Sequence, residues 1–366
     1  MTQIFGNFAD LTVQMVIMWV IGAIMIYLAI KKEMEPTLLL PMGFGAILCN
    51  IPNSGMVHTL DILFNAGVAN ELFPLLLFIG IGAMIDFGPL LADPKLLLFG
   101  AAAQFGIFFT LSMASLLGFE LRDAASIAII GAADGPTSIF VAQTLKSNYT
   151  AAIIVAAYSY MALVPIVQPF CIKLVTTKEE RMIRMEYTPG KITKTTRILF
   201  PIVVSIIASL VAPDSAALVG FLMFGNLLRE CGVLRSLSEC AQNILANLVS
   251  LLLGLTVAVR MQADSFLVPE TLMILGLGLI AFMFDTFGGV FFGKFLNLFS
   301  KKKINPMVGA AGISAFPMSS RVIAKMAREE DPYNFILMQA AGANVAGQVA
   351  SVIAGGLILA MIGPLV

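Results

Sequence analysis

The sequence predicts an all-α polytopic membrane protein of roughly nine to twelve membrane segments, and three observations predict it. Of 366 residues, 59% are apolar and only 12% charged, with a mean hydropathy of +0.94, which leaves too little polar surface to coat a soluble globule of this size. Apolar stretches of about 20 residues, the length that crosses a hydrocarbon core of about 30 Å, recur along the chain. Lys and Arg gather in a few short loops, as in segments retained on the cytoplasmic side. Twenty-two basic and 22 acidic residues cancel, which removes the basic face that a nucleic-acid partner requires.

The apolar runs lie near 11–30, 36–51, 72–92, 95–118, 123–146, 149–172, 198–212, 215–230, 240–259, 268–299, 306–320 and 335–362. The first ends at Lys31-Lys32 without a small-residue cleavage site, so it reads as a retained helix. The hydrophilic stretch 173–197 carries Lys173, Lys178, Arg181, Arg184, Lys191, Lys194 and Arg197, and a second basic cluster stands at Lys301-Lys302-Lys303. An even number of runs separates the two, which places both loops on the cytoplasmic face. Cys49, Cys171, Cys231 and Cys240 match no metal or redox spacing and read as small core hydrophobes. His58 is the single histidine, so no transition-metal cluster is expected; it reads as a loop or interface residue.

Internal similarity divides the chain. Ile79 to Asp86 resembles Leu253 to Arg260, Gly131-Ala132-Ala133-Asp134 is matched at Gly309-Ala310-Ala311-Gly312, and Tyr158-Ser159-Tyr160 aligns with Gly342-Ala343-Asn344. The expected organisation is N-terminal helices at 1–70, a first repeat at 71–175 broken at 131–137, a basic loop with connecting helices at 176–244, and a second repeat at 245–366 broken at 309–317. Paired repeats with Gly- or Pro-broken helices are a transporter signature, the copies often being inverted and the breaks meeting near the midplane. Unwound backbone at membrane depth must line a cavity or lie buried in protein. Small residues that merely let helices pack closely are the plainer reading of the same segments.

Asp134 is the residue on which chemistry turns. A carboxylate in an apolar run costs about 2.5–3.5 kcal/mol even on the lenient insertion scale, and Gly135, Pro136, Thr137 and Ser138 open the helix beside it, giving oxygen ligands suited to an alkali cation. An aspartate that only caps a helix restarting at Pro136 is the structural alternative. In the second break, Ser314, Ser319, Ser320 and Arg321 follow unwound backbone; the Arg321 fork suits a carboxylate, against the alternative of an arginine snorkelling to the interface. Asn305 and Asn344 offer amide oxygens, with Asn344 and Tyr160 each expected to face the partner half's break, or to glue helices. Asp86 and Arg260 occupy equivalent repeat positions and suggest a pair or interfacial anchors. Asp285 is a secondary intramembrane acid, and Lys294 is expected to snorkel.

The run from Ile130 to Ala142, read with Tyr158 to Pro165 and Asn305 to Arg321, resembles the beta subunit of the sodium-translocating decarboxylases of oxaloacetate, methylmalonyl-CoA and glutaconyl-CoA. The resemblance covers nearly the whole chain. It implies a membrane carboxybiotin decarboxylase of the bacterial cytoplasmic membrane, which takes up a proton, releases CO2 and moves sodium outward. It implies partners: a biotin carrier domain, a soluble carboxyltransferase alpha subunit, a small membrane gamma or delta subunit, and further copies of the chain. Since the chain holds no Met-Lys-Met acceptor, biotin belongs to a partner, and the basic loop 176–197 is a candidate dock. Carried onto this sequence, the family's functional residues fall on Asp134, Tyr160, Asn305, Gly309, Ser314, Arg321 and Asn344. The expected division of labour has Asp134 and Asn344 at one sodium ion, Ser314, Asn305 and Tyr160 at a second, Arg321 on the carboxybiotin carboxylate, and Tyr160 and Ser314 relaying the proton. The alternative is a sodium-coupled carrier of a carboxylate anion without chemistry.

Overall fold

Every regular element among the described residues is helical, the outcome demanded where lipid offers backbone groups no hydrogen-bond partner. A computed structural model describes residues 9–33, 36–186 and 192–365. Its longer helices are α1 (Val13–Lys32), α2 (Pro36–Cys49), α3 (Met56–Gly67), α4 (Leu72–Met84), α5 (Leu96–Ala102), α6 (Phe105–Leu116), α7 (Leu121–Ala128), α8 (Gly135–Thr144), α9 (Thr150–Val175), α10 (Lys194–Val211), α11 (Ala216–Glu230), α12 (Ala246–Val257), α13 (Pro269–Phe299), α14 (Met318–Glu330) and α15 (Leu337–Ile362).

Local chemistry fixes several ends. The Thr12 hydroxyl accepts from Met15 N at the start of α1, whose last turn carries Lys31 and Lys32 against the carbonyl end of the helix dipole. Thr193 caps α10 in the same way. Thr177 and Glu180 form a capping box at a single turn, Lys178–Arg181, in the basic loop.

Six helices are long and apolar enough to cross a membrane, or eight if the bent pairs α3–α4 and the two halves of α9 are single spans. The remaining apolar runs among the nine to twelve expected segments do not cross whole: 123–146 and 306–320 are split into pieces too short to span, and 36–51 yields a helix of 14 residues. Burial sorts the spans. Only 11% of the apolar window of α10 and 22% of that of α1 is buried, against 72% for α15. α1 and α10 are therefore peripheral and lipid-facing, while α15 is the central post.

Glycines set the closest approaches. At Gly82 on α4 a β-carbon would lie 1.8 Å from Leu222 O, and at Gly225 on α11 one would lie 2.0 Å from Ile79 O, so these helices cross backbone to backbone. α5 meets α15 in the same way, a β-carbon on Gly100 falling 2.4 Å from the Ala346 carbonyl carbon.

Several expectations are corrected here. Asp86 and Arg260 do not pair: Asp86 meets Arg197 at 3.2 Å, and the Arg260 guanidinium lies over the Phe64 ring at 4.5 Å. Lys294 does not snorkel free but binds Glu180 at 2.9 Å. His58 sits on α3 rather than in a loop, and is exposed. Cys49 and Cys171 are buried as expected, whereas Cys240 is exposed and Cys231 intermediate.

Candidate functional site: two hairpins that meet at their tips

α7, a 3-10 turn at Ile129–Ala132 and α8 form a hairpin, not a span. Asp123 near its start accepts hydrogen bonds from Ser147 Oγ (2.7 Å), Asn148 N (2.9 Å) and Asn148 Nδ2 (3.1 Å) just past its end. Both feet therefore share one face, and the tip lies at Ala133 and Asp134. Ala133 takes a left-handed backbone, φ 52°, which costs an L-residue about 1–2 kcal/mol and turns the chain. Asp134 then caps α8.

The second break has the same plan. A single turn at Met307–Ala310 enters, residues 311–317 are irregular, and α14 returns. Its feet are tied to one strap of the basic loop. Asn305 Nδ2 donates to Arg181 O and Ile183 O, both at 2.9 Å; Arg181 binds Glu330 at 2.7 Å; and Arg184 grips Asp331 through two nitrogens at 2.6 and 3.0 Å.

α15 shows that the hairpins enter from opposite faces. Near its start, Asn334 and Gln339 donate to Arg181 O and Met185 O in the strap. At its other end Leu359 and Gly363 line a cavity of about 480 Å³ with Arg122, Thr144 and Lys146 at the first hairpin's feet. Its 26 residues span about 39 Å, enough to cross the hydrocarbon core. The tips meet between these faces: Ser314 N donates to Ala132 O at 3.0 Å, and Ala133, Ile313 and Ala315 share one apolar cluster.

Residues 344–351, in the middle of α15, pass both tips. Asn344 Nδ2 donates to Ile313 O at 2.7 Å and Ser314 Oγ to Gly347 O at 2.9 Å. One turn on, Gln348 Nε2 and Ser351 Oγ both donate to Asp134 Oδ2 at 2.9 Å. Thr137 completes the cage with its hydroxyl at 2.7 Å from Oδ2 and its amide at 3.4 Å from Oδ1. Asp134 is 2% exposed. Asn344 Oδ1 is buried with no hydrogen-bond partner among the described residues. A buried acceptor without a donor is costly and suits a cation.

The predicted residues are thus partly gathered and partly dispersed. Asp134, Ser314 and Asn344 come together, Asn344 inside its own half's break and not across at the partner's. Arg321 lies one turn beyond the second tip, exposed, with no side-chain hydrogen bond or ion pair among the described residues. Asn305 stands at the feet, where its Oδ1 also caps Met307 N. Gly309 packs on Gly289, each carbonyl lying within 2.1 Å of where the other's β-carbon would be. Tyr160 donates its hydroxyl to Leu275 O on α13 and packs at Gly278. No hydrogen bond joins Asn305 or Tyr160 to Ser314. It is the Tyr158 ring that covers the first tip, a β-carbon on Gly135 falling 2.3 Å from it.

Sequence reasoning missed Gln348, Ser351 and Gln168. Asn344, Gln348 and Ser351 follow at i, i+4 and i+7 on a helix that is small and apolar apart from Gln339 at its start, a one-face polar stripe that was legible. Gln168 on α9 donates to Ala310 O at 2.8 Å and Ser319 Oγ at 2.7 Å, bracing the second hairpin from behind.

Fold and site together define a polytopic helical membrane protein built around two opposed broken hairpins with a buried carboxylate at their junction. Residues 14–362 match the family described as the Na+-transporting oxaloacetate decarboxylase beta subunit. The chain belongs to that family. It is 48% identical to the methylmalonyl-CoA decarboxylase subunit beta of Veillonella parvula, over 98% of this chain and 95% of the relative. It is 48% identical to the glutaconyl-CoA decarboxylase subunit beta of Acidaminococcus fermentans, over 95% and 93%. It is 42% identical to the oxaloacetate decarboxylase beta chain of Klebsiella pneumoniae, over 94% of each.

Proposed function

We propose that this chain is the membrane subunit in which decarboxylation of carboxybiotin drives sodium ions outward, biotin being carried by a partner subunit. The observation that carries the proposal is the Asp134 cage at the junction of the opposed tips. Each of its groups has oxygen to offer a small cation: the carboxylate, the hydroxyls of Thr137 and Ser351, the Gln348 amide when turned over, and Asn344 Oδ1 close by. Sodium is the cargo of this site.

Carboxybiotin loses CO2 as its N–C bond breaks, and the ureido nitrogen left behind takes up one proton. Arg321, exposed one turn beyond the second tip, would receive the carboxylate of a biotin arriving along α14. Ser314 is bonded to both the first tip and α15, so it would link carboxylate loss to the sodium cage. Coupling requires that the cage bind sodium more tightly when it faces inward than outward, and that CO2 release bias that change. Each ion moved against 100 mV costs about 2.3 kcal/mol. The opposed hairpins support the reading of 71–175 and 245–366 as inverted repeats. Tyr160, held on α13, and Asn305 and Gly309, at the feet and shaft of the second hairpin, would act on the site by positioning it. The family name implies a multi-subunit complex; the carboxyltransferase, carrier and small membrane subunits, and a homo-oligomer within it, belong to this proposal.

The test is decarboxylation of free carboxybiotin by the purified complex and by its Asp134→Asn form, titrated with sodium from near zero. Sodium-dependent CO2 release that the variant loses supports the proposal. Indifference of the wild type to sodium, with exchange of a carboxylate anion and no CO2, would favour the carrier reading instead.

A further inference from the structure

Asp285, on α13, is the intramembrane acid that the scheme above leaves unused. It is fully buried. Its Oδ1 accepts from Gly106 N at 2.5 Å, so one oxygen caps α6 where the chain bends at Ala103 and Gln104. Its Oδ2 is buried and has no hydrogen-bond partner among the described residues. That oxygen is aimed at the first break: a β-carbon on Gly131, three residues before Asp134, would lie 3.0 Å from it. Phe282, one turn earlier on α13, packs with Ala133 at the tip.

We infer that Asp285 is a second monovalent-cation site, taking sodium or a proton at Oδ2, and that it senses the first hairpin from the side opposite the Asp134 cage. The inference rests on the coupled-pump reading. A cap needs only the oxygen that faces Gly106; it does not account for a second, donor-free carboxylate oxygen in a dry site, where a full negative charge is expensive. A monovalent cation removes that charge. Neither α6 nor the turn 129–132 carries an ionisable side chain. The titratable groups that face α13 from its neighbours are Tyr160 at Gly278, Glu180 at Lys294 and, at the far start of the helix beside Glu270 and Met273, Glu120, Asp123 and Tyr149; Asp134 turns the other way, toward α15. With one carboxylate on each side of residues 131–134, a shift of the tip would change the surroundings of both.

The test is equilibrium binding of radioactive sodium to the purified complex, with proton release on sodium addition followed in weakly buffered detergent solution. Wild type, Asp134→Asn and Asp285→Asn are compared. Asparagine keeps the oxygen that caps α6, so the fold is retained while the charge is lost. Loss of one bound sodium per chain in Asp285→Asn identifies sodium as the occupant. An unchanged sodium count with one fewer proton released identifies a proton. A variant equal to wild type in both overturns the inference and leaves Asp285 a cap. Should the variant fail to assemble, infrared difference spectra of the wild type decide: two sodium-sensitive carboxyl signals support a second site, and a single one that Asp134→Asn abolishes overturns it. If Asp134→Asn binds sodium like the wild type, the proposed function fails while the Asp285 readout still stands.

Discussion

Replacing Gly347 by alanine tests the junction most directly, because alanine favours the helix and the change is purely one of space. The added methyl carbon would lie 2.0 Å from Gly312 O and 2.6 Å from Gly312 C, backbone atoms that cannot rotate aside. The second tip must move off α15. Overpacking of this kind costs about 1–3 kcal/mol. The displacement also strains two hydrogen bonds, Asn344 to Ile313 O and Ser314 to Gly347 O, each worth about 1 kcal/mol. The sum, about 3–5 kcal/mol, corresponds to roughly two to three and a half orders of magnitude in any equilibrium that needs the tip seated. The assay is sodium binding and sodium-dependent CO2 release by the assembled complex, with Gly276→Ala as control, since a methyl there meets nothing within 4 Å. Wild-type sodium affinity and turnover in a properly assembled Gly347→Ala complex would refute the placement of α15 against both tips.

Further outcomes follow from the same geometry. Gln348→Leu and Ser351→Ala each remove a hydrogen bond to a buried carboxylate, worth about 1.5–3 kcal/mol, and should weaken sodium binding about tenfold or more, read by titration. Tyr158→Ala removes the ring over Gly135, uncovers the tip and should lose sodium binding by the same titration. Asn305→Ala should weaken sodium binding less than Ser351→Ala does, acting through a loosened strap that is read as faster hydrogen exchange at residues 305–310. The strap should also respond to pH. Hydrogen bonding from Arg184 holds the Asp331 carboxyl below its usual range. A carboxyl lowered in the folded state contributes stability above its unfolded value, near pH 4, and loses it as pH falls through the lower folded value. Exchange at residues 318–330 should therefore rise on acidification in the wild type and be already fast in Arg184→Gln.

Much of the candidate site was legible because membrane burial makes polar residues conspicuous. Asp134 announces itself as a carboxylate beside Gly135 and Pro136 in an apolar run, and Ser314, Arg321 and Asn344 stand out on the same ground. The hydropathy pattern fixed the class of protein, and Gly and Pro marked both breaks. Gln348 and Ser351 were harder to reach, since they lie 214 and 217 residues from Asp134. Helical period says which residues share a face, not which other face they meet.

The sequence by itself determined that the chain lives in a membrane, where it breaks, and which carboxylate the break exposes, since an apolar solvent leaves backbone and charge so few choices. Only the tertiary structure decided that the breaks are hairpin tips entering from opposite faces, that Tyr158 and not Tyr160 covers the first tip, that Asn305 secures the feet, and that Asp285 caps α6 with one oxygen and turns the other on Gly131. Those assignments depend on which helices touch. In a chain of small and apolar residues that is decided by backbone contacts at Gly100, Gly289, Gly309 and Gly347, which close only when the whole bundle is assembled.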